Sequence, residues 1–201
     1  MAFNLERKGY SIHPGALSPC LSEALLAHLG QMPERKFDPA GIGRDEQHML
    51  NNFVRTDEIC WITGESEAGR QWLDWTGALQ KFLNQRLFLG LFSFESHFAH
   101  YAPGAYYKRH LDAFKGEANR VLSLVVYLNP SWIPEYGGEL VLYTGKDSEE
   151  NIRVLPLFGT VVSFLSEDFP HEVLPASQDR YSVAGWFRVN TSVRDRTDPP
   201  L

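Results

Sequence analysis

The sequence predicts a mainly β domain flanked by helices, with a double-sheet barrel or jelly roll at its core. Three observations predict it. From residue 88 onward, short β-type runs recur between turn residues. Ahead of them lie two stretches with apolar residues at helical spacing. At 201 residues and 43% hydrophobic content, the chain has enough apolar surface for one compact domain. Several strands in series after two helices pack as two sheets with the helices outside.

The N-terminal part, 1–87, reads as a helical and mixed support. Ser18 is a good N-cap and Pro19 suits the first helical position. Leu21, Leu25 and Leu29 then follow on one face, and Gly30 offers a stop. Residues 37–52 are mostly polar, contain Gly41 and Gly43, and read as a loop. A short strand is predicted over 57–63. A second helix is predicted over 66–85, with Trp72, Trp75, Leu79, Phe82 and Leu83 on one face.

The part from 88 to 190 reads as strands over 88–101, 120–128, 139–144, 151–155, 160–164 and 181–189. Asn129-Pro130, Gly137-Gly138, Gly145, Phe158-Gly159 and Phe169-Pro170 punctuate them. Residues 191–201 form a polar tail with two prolines near its end, expected to fray. No repeat, low-complexity tract or linker divides the chain, so one domain is expected.

Composition narrows the function. The chain has 25 acidic and 19 basic residues, a net charge of −6, and no basic face of the kind nucleic acid requires. Cys20 and Cys60 are the only cysteines, too few for a disulfide framework or a cysteine-rich zinc site. The N-terminus has no secretory pattern, and no run is long and apolar enough to span a bilayer. A reducing cytoplasm is the expected setting.

The strongest chemical signal is His110-Leu111-Asp112. In extended chain, residues i and i+2 share a face, so an imidazole and a carboxylate can converge. His171, on a later β segment, supplies a third ligand. Two histidines and one carboxylate make the facial triad of non-heme iron oxygenases, although zinc accepts the same set. Arg180 opens the 181–189 run nine residues after His171. A guanidinium inside a barrel needs an anion, which a dicarboxylate co-substrate supplies with the end that does not chelate the metal. The bland readings are a chance His-x-Asp pair, a hydrogen-bonded edge histidine and a surface arginine.

Residues 101–128 read YAPGAYYKRHLDAFKGEANRVLSLVVYL, and residues 171–187 read HEVLPASQDRYSVAGWF. These resemble the hypoxia-inducible-factor prolyl hydroxylases and their bacterial relatives, members of the Fe(II)/2-oxoglutarate-dependent prolyl hydroxylase family. The resemblance is clearest over 91–190 and reaches back to the run from Arg55 to Trp61. The combination of Tyr-x-Pro-Gly, His-x-Asp, Tyr-Leu-Asn, Gly-Gly and His-Glu-Val is far more specific than the metal motif alone.

The resemblance implies a double-stranded β-helix core, cupin-like in outline, with His110, Asp112 and His171 holding Fe(II). It implies that Arg180 and Tyr127 hold the distal carboxylate of 2-oxoglutarate, with Tyr101 beside the co-substrate and Leu140 and Val125 as apolar walls. It places Arg55, Asp57 and Trp186 on the substrate side and makes 37–52 a substrate loop. O2 is the second co-substrate and ascorbate a candidate reductant. The implied activity is prolyl 4-hydroxylation of a protein, coupled to decarboxylation of 2-oxoglutarate to succinate and CO2. Neither nucleic acid nor membrane is an expected partner.

Read from chemistry alone, Tyr101, Leu140, Val125 and Trp186 serve equally as core, and Arg55 with Asp57 as a solvated charge pair. The sequence departs from the family at Ala184, where the hypoxia-type enzymes carry a threonine that touches the co-substrate. Arginine at 180, where collagen-type enzymes use lysine, points to the cytosolic branch. His97 shares parity with Tyr101 and either lines the same pocket or packs at its rim. Three rivals remain open: a hydroxylase of a small molecule or another side chain, a non-catalytic metal-dependent sensor, and a zinc hydrolase.

Overall fold

The computed structural model describes residues 1–33, 36–40, 53–113, 119–145 and 150–190. In chain order the elements are α1 (Ala2–Lys8), β1 (Tyr10–His13), α2 (Pro19–Gln31), β2 (Asp38–Pro39), β3 (Glu58–Trp61), α3 (Glu67–Leu87), β4 (Leu91–Tyr101), β5 (Tyr107–His110), β6 (Arg120–Tyr127), β7 (Leu140–Tyr143), β8 (Asn151–Val154), β9 (Val161–Leu165), β10 (His171–Val173) and β11 (Arg180–Val189). All pairings are antiparallel. Seven strands form one sheet in the order β1-β9-β6-β11-β4-β3-β2, and four form a second in the order β5-β10-β7-β8. The predicted two-sheet core with flanking helices is what forms.

The helices follow their start signals. Ser18 caps α2 by accepting a hydrogen bond from the Leu21 amide at 3.4 Å, with Pro19 in the first turn. Ser66 caps α3 by accepting from the Gly69 amide at 3.0 Å. The buried faces are Leu21, Leu25 and Leu29 on α2, and Trp72, Thr76 and Leu83 on α3. They pack against Phe98 on β4, Leu122, Leu124 and Val126 on β6, and Val183 and Phe187 on β11. Trp72 adds a hydrogen bond from Nε1 to Ser96 Oγ, 2.9 Å.

Alternation along each strand then turns the other residues inward between the sheets. Ala99, Tyr101, Tyr127, Leu140, Leu142, Val162, Phe164 and Val173 form that second core. The major sheet therefore has two apolar faces: one covered by helices, the other forming the floor of the space between the sheets.

Several elements differ from expectation. Helix α2 runs one residue beyond Gly30. Phe88 is the left-handed cap of α3 (φ 54°), not the start of β4, which begins at Leu91. α1, β1 and β5 were not anticipated. These segments are four to seven residues long, too short to show a periodic pattern, and β1 and β5 are held by distant partners. Within the expected loop 37–52, Asp38–Pro39 pairs with β3, whereas 41–52 lies outside the described residues. The tail 191–201 lies outside them too.

Candidate active site

His110 ends β5, His171 begins β10, and the two are cross-strand partners. Asp112 lies in the bend beyond β5. His110 and Asp112 therefore do not share a strand face, contrary to the expectation from strand parity: the chain leaves the strand after His110, and the bend delivers the carboxylate. His110 Nε2 lies 3.6 Å from Asp112 Oδ1, and His171 Nε2 lies 3.6 Å from Asp112 Oδ2. One ligand atom from each of the three residues falls within 4.8 Å of the others.

Backbone carbonyls fix both rings. His110 Nδ1 lies 2.8 Å from Lys108 O, and His171 Nδ1 lies 3.0 Å from Phe169 O. A carbonyl only accepts, so each Nδ1 carries the proton and each Nε2 keeps its lone pair toward the cluster. Burial pushes His171 down to about 4, with Asp112 opposing and His110 reinforcing the shift. Burial alone would raise the Asp112 pKa, but His171, His110 and a hydrogen bond from Ser123 hold it far below the usual carboxylate range. A neutral imidazole, as at His171, and an ionised carboxylate, as at Asp112, are the forms that bind a metal.

Ser123 had no role in the sequence reading. Its hydroxyl donates to Asp112 Oδ2 at 2.6 Å and lies 2.9 Å from Ser166 Oγ. Tyr107, equally unforeseen, stacks on His110 with ring centroids 3.5 Å apart. Arg55 lies over Tyr107 at 4.2 Å and clasps Asp57 with two hydrogen bonds of 2.8 and 2.6 Å. The Asp57 side chain has no exposed surface, so this is a buried pair and not the solvated one considered above.

Arg180 sits at the first position of β11, 1% exposed. Its Nε donates to Gly138 O at 2.9 Å and its Nη1 to Ser182 Oγ at 3.4 Å. No carboxylate among the described residues pairs with it. The rings of Tyr101 and Tyr127 flank the guanidinium at 4.9 and 5.1 Å. The Tyr127 hydroxyl is buried without a hydrogen-bond partner among the described residues, and burial, opposed by the neighbouring Arg180, pushes its pKa up to about 12, so it is a neutral donor. A buried cation beside an unused donor is the surrounding an incoming carboxylate needs. Leu140 is buried and Val125 half-buried in the adjoining apolar core.

Trp186 projects from the same face of β11 as Arg180. Arg120 stacks over it at 3.7 Å and pairs with Glu95 at 2.8 Å. Ala184, between them, pairs with His97 on β4 and Val125 on β6, and is the position already noted as departing from the resembled family.

Residues 96–188 match the profile of the 2OG-Fe(II) oxygenase superfamily. A Pseudomonas putida prolyl-4-hydroxylase superimposes with a TM-score of 0.83 at 39% identity, over 94% of this chain and 96% of that one. The chain belongs to the 2OG-Fe(II) oxygenase superfamily. By family it is a 2-oxoglutarate-dependent dioxygenase, with Fe(II) as metal and 2-oxoglutarate and O2 as co-substrates. A prolyl hydroxylase from Trichoplax adhaerens, in complex with a hypoxia inducible factor oxygen degradation domain peptide fragment, superimposes with a TM-score of 0.79 at 26% identity, over 93% of this chain and 86% of that one. Human Egl nine homolog 1 is 29% identical over 85 residues, 42% of this chain. That match spans only 20% of the human protein. Two nitrogens and a carboxylate around one point suit Fe(II), and the buried Arg180 and Tyr127 suit the second carboxylate of 2-oxoglutarate. The residues present therefore fit the oxygenase cofactor and co-substrate.

Proposed function

We propose that this oxygenase is a protein prolyl 4-hydroxylase, and that His110, Asp112 and His171 are its iron ligands. Bound Fe(II) supplies the oxidative chemistry in which 2-oxoglutarate, O2 and a prolyl C–H bond become succinate, CO2 and a hydroxyprolyl residue. The observation that carries the co-substrate assignment is the buried guanidinium of Arg180 beside the Tyr127 hydroxyl, which has no hydrogen-bond partner among the described residues. Likeness over nearly the whole length to the Pseudomonas putida enzyme supports the prolyl reaction.

The chain's own residues then have distinct tasks. Arg180 and Tyr127 hold the distal carboxylate, with Gly138 O and Ser182 Oγ fixing the guanidinium. Tyr101, Leu140 and Val125 line the co-substrate pocket and keep water from it. Ser123 sets the Asp112 carboxylate, and Tyr107 sets His110. Arg55, Asp57 and Trp186 border the substrate. Ascorbate is the candidate reductant, and the enzyme works in the cytoplasm on a protein that presents a proline.

The test is incubation of the iron-loaded enzyme with 2-oxoglutarate and host lysate, followed by proteomic mapping. One added oxygen on a proline is expected. Oxygen added only to a small molecule or to another side chain would overturn the prolyl assignment while leaving the oxygenase intact. No turnover of 2-oxoglutarate at all would instead favour a non-catalytic sensor.

A further inference from the structure

The inner face of β4 carries one polar ring to which the reading above gives no task. His97 shares strand parity with Tyr101 and is 3% exposed. It pairs with Ala184 on β11, which pairs in turn with Val125 on β6. One inward-facing row away, Ser182 pairs with Tyr127 beside the carboxylate pocket. One row the other way, Trp186 pairs with Ser123, the partner of Asp112. His97 therefore stands on the floor between the anion pocket and the metal triad.

Its bonding defines what it can offer. His97 Nδ1 lies 3.2 Å from Ala184 O, and a carbonyl only accepts, so Nδ1 bears the hydrogen. Nε2 is then an acceptor, and it has no hydrogen-bond partner among the described residues. The ring is wedged between Trp61, stacked at 5.3 Å, and Trp186 at 5.4 Å. Burial, reinforced by Arg55 and Arg120, pushes its pKa down to about 3, so the ring stays neutral near pH 7.

We propose that His97 is a specificity-determining residue whose Nε2 accepts a hydrogen bond from a backbone N–H of the substrate chain next to the target residue, while Trp61 and Trp186 flank that stretch. The inference rests on the peptide-substrate reading above. A prolyl nitrogen has no hydrogen, so an acceptor beside the target ring reads the neighbouring residue. Requiring an N–H there disfavours any substrate that would cover the acceptor and leave it unpaired.

The experiment uses the full-length iron-loaded enzyme and a peptide that the wild type modifies, made as a series in which each backbone amide in turn becomes an ester. His97→Leu raises KM for the parent peptide roughly three- to tenfold, as one neutral hydrogen bond predicts. The 2-oxoglutarate requirement and uncoupled 2-oxoglutarate turnover stay unchanged. His97→Gln, which keeps an acceptor, recovers most of the loss. One ester raises KM in the wild type and adds nothing further in His97→Leu, the sign of a shared interaction. The proposal is overturned if His97→Leu takes the parent peptide as well as the wild type does, if uncoupled turnover falls in parallel, or if every ester costs both proteins equally. Should the wild type modify a residue other than proline, the prolyl reading falls and the same series still decides for or against His97. Should it modify no peptide at all, both fall.

Discussion

At the scale of single residues, one proton position on each imidazole decides whether the cluster can hold a metal. Lys108 O and Phe169 O keep the Nδ1 protons of His110 and His171, so both Nε2 lone pairs face Asp112. Asp112→Ala is expected to remove metal binding and turnover together, measured by metal content and succinate release. Retention of coupled activity would contradict the triad. Ser123→Ala leaves the ligands in place but frees the carboxylate, so metal affinity should fall about ten- to a hundredfold in a calorimetric titration. The two buried histidines also set a pH dependence. Burial pushes His97 down to about 3 and His171 down to about 4 in the fold, against about 6.5 when unfolded. Between those values the unfolded chain binds more protons, so the metal-free protein loses stability as pH falls below about 6.5. His97 should account for about 1–2 kcal/mol of that loss at pH 5, and His97→Gln should flatten the curve of urea midpoint against pH. An unchanged curve would mean that His97 titrates normally in the fold. In the sequence, His110, Asp112, His171 and Arg180 stood out as candidates through the run of family motifs around them, since a His-x-Asp pair alone is common. The sequence did not reveal Ser123, since a serine inside a β run looks like any other strand residue.

At the scale of elements, the turn before β7 is what seats the arginine. Gly138 has φ +72°, and its carbonyl accepts from Arg180 Nε. A Cβ there would meet Ala176 Cβ at 2.9 Å and Arg180 Cδ at 3.2 Å. Gly138→Ala should therefore cost about 1–3 kcal/mol in stability and weaken 2-oxoglutarate binding as well. Ser66→Ala is the control. It removes the cap of α3 and should cost about 1 kcal/mol in urea unfolding without touching 2-oxoglutarate affinity. Equal effects of both changes on 2-oxoglutarate affinity would show that Gly138 acts only through global stability. The sequence marked Gly137-Gly138 as a turn but could not connect it to a side chain 42 residues away. Helices α2 and α3 were legible because each carries its own cap and apolar stripe. β5 and β10 are four and three residues long and owe their existence to each other and to β7, pairings that no local pattern encodes.

At the scale of the whole molecule, the two sheets divide the work. The seven-stranded sheet supplies the floor, with Tyr101, Tyr127, Ser123 and Arg180 on its inner face, and the four-stranded sheet brings both histidines over it. The other face of the seven-stranded sheet packs against α2 and α3. Rigid elements keep a ligand set in register better than loops do. The general architecture was legible because runs of strands after helices admit few arrangements, whereas the order of strands within each sheet was not. The central claim is that a metal triad and a buried anion pocket together hold 2-oxoglutarate. The most direct test is an anaerobic calorimetric titration of 2-oxoglutarate into the iron-loaded wild type and Arg180→Ala. The account predicts intact iron binding in both, with a loss of about 3–5 kcal/mol in 2-oxoglutarate affinity for Arg180→Ala. Wild-type affinity in Arg180→Ala would contradict it.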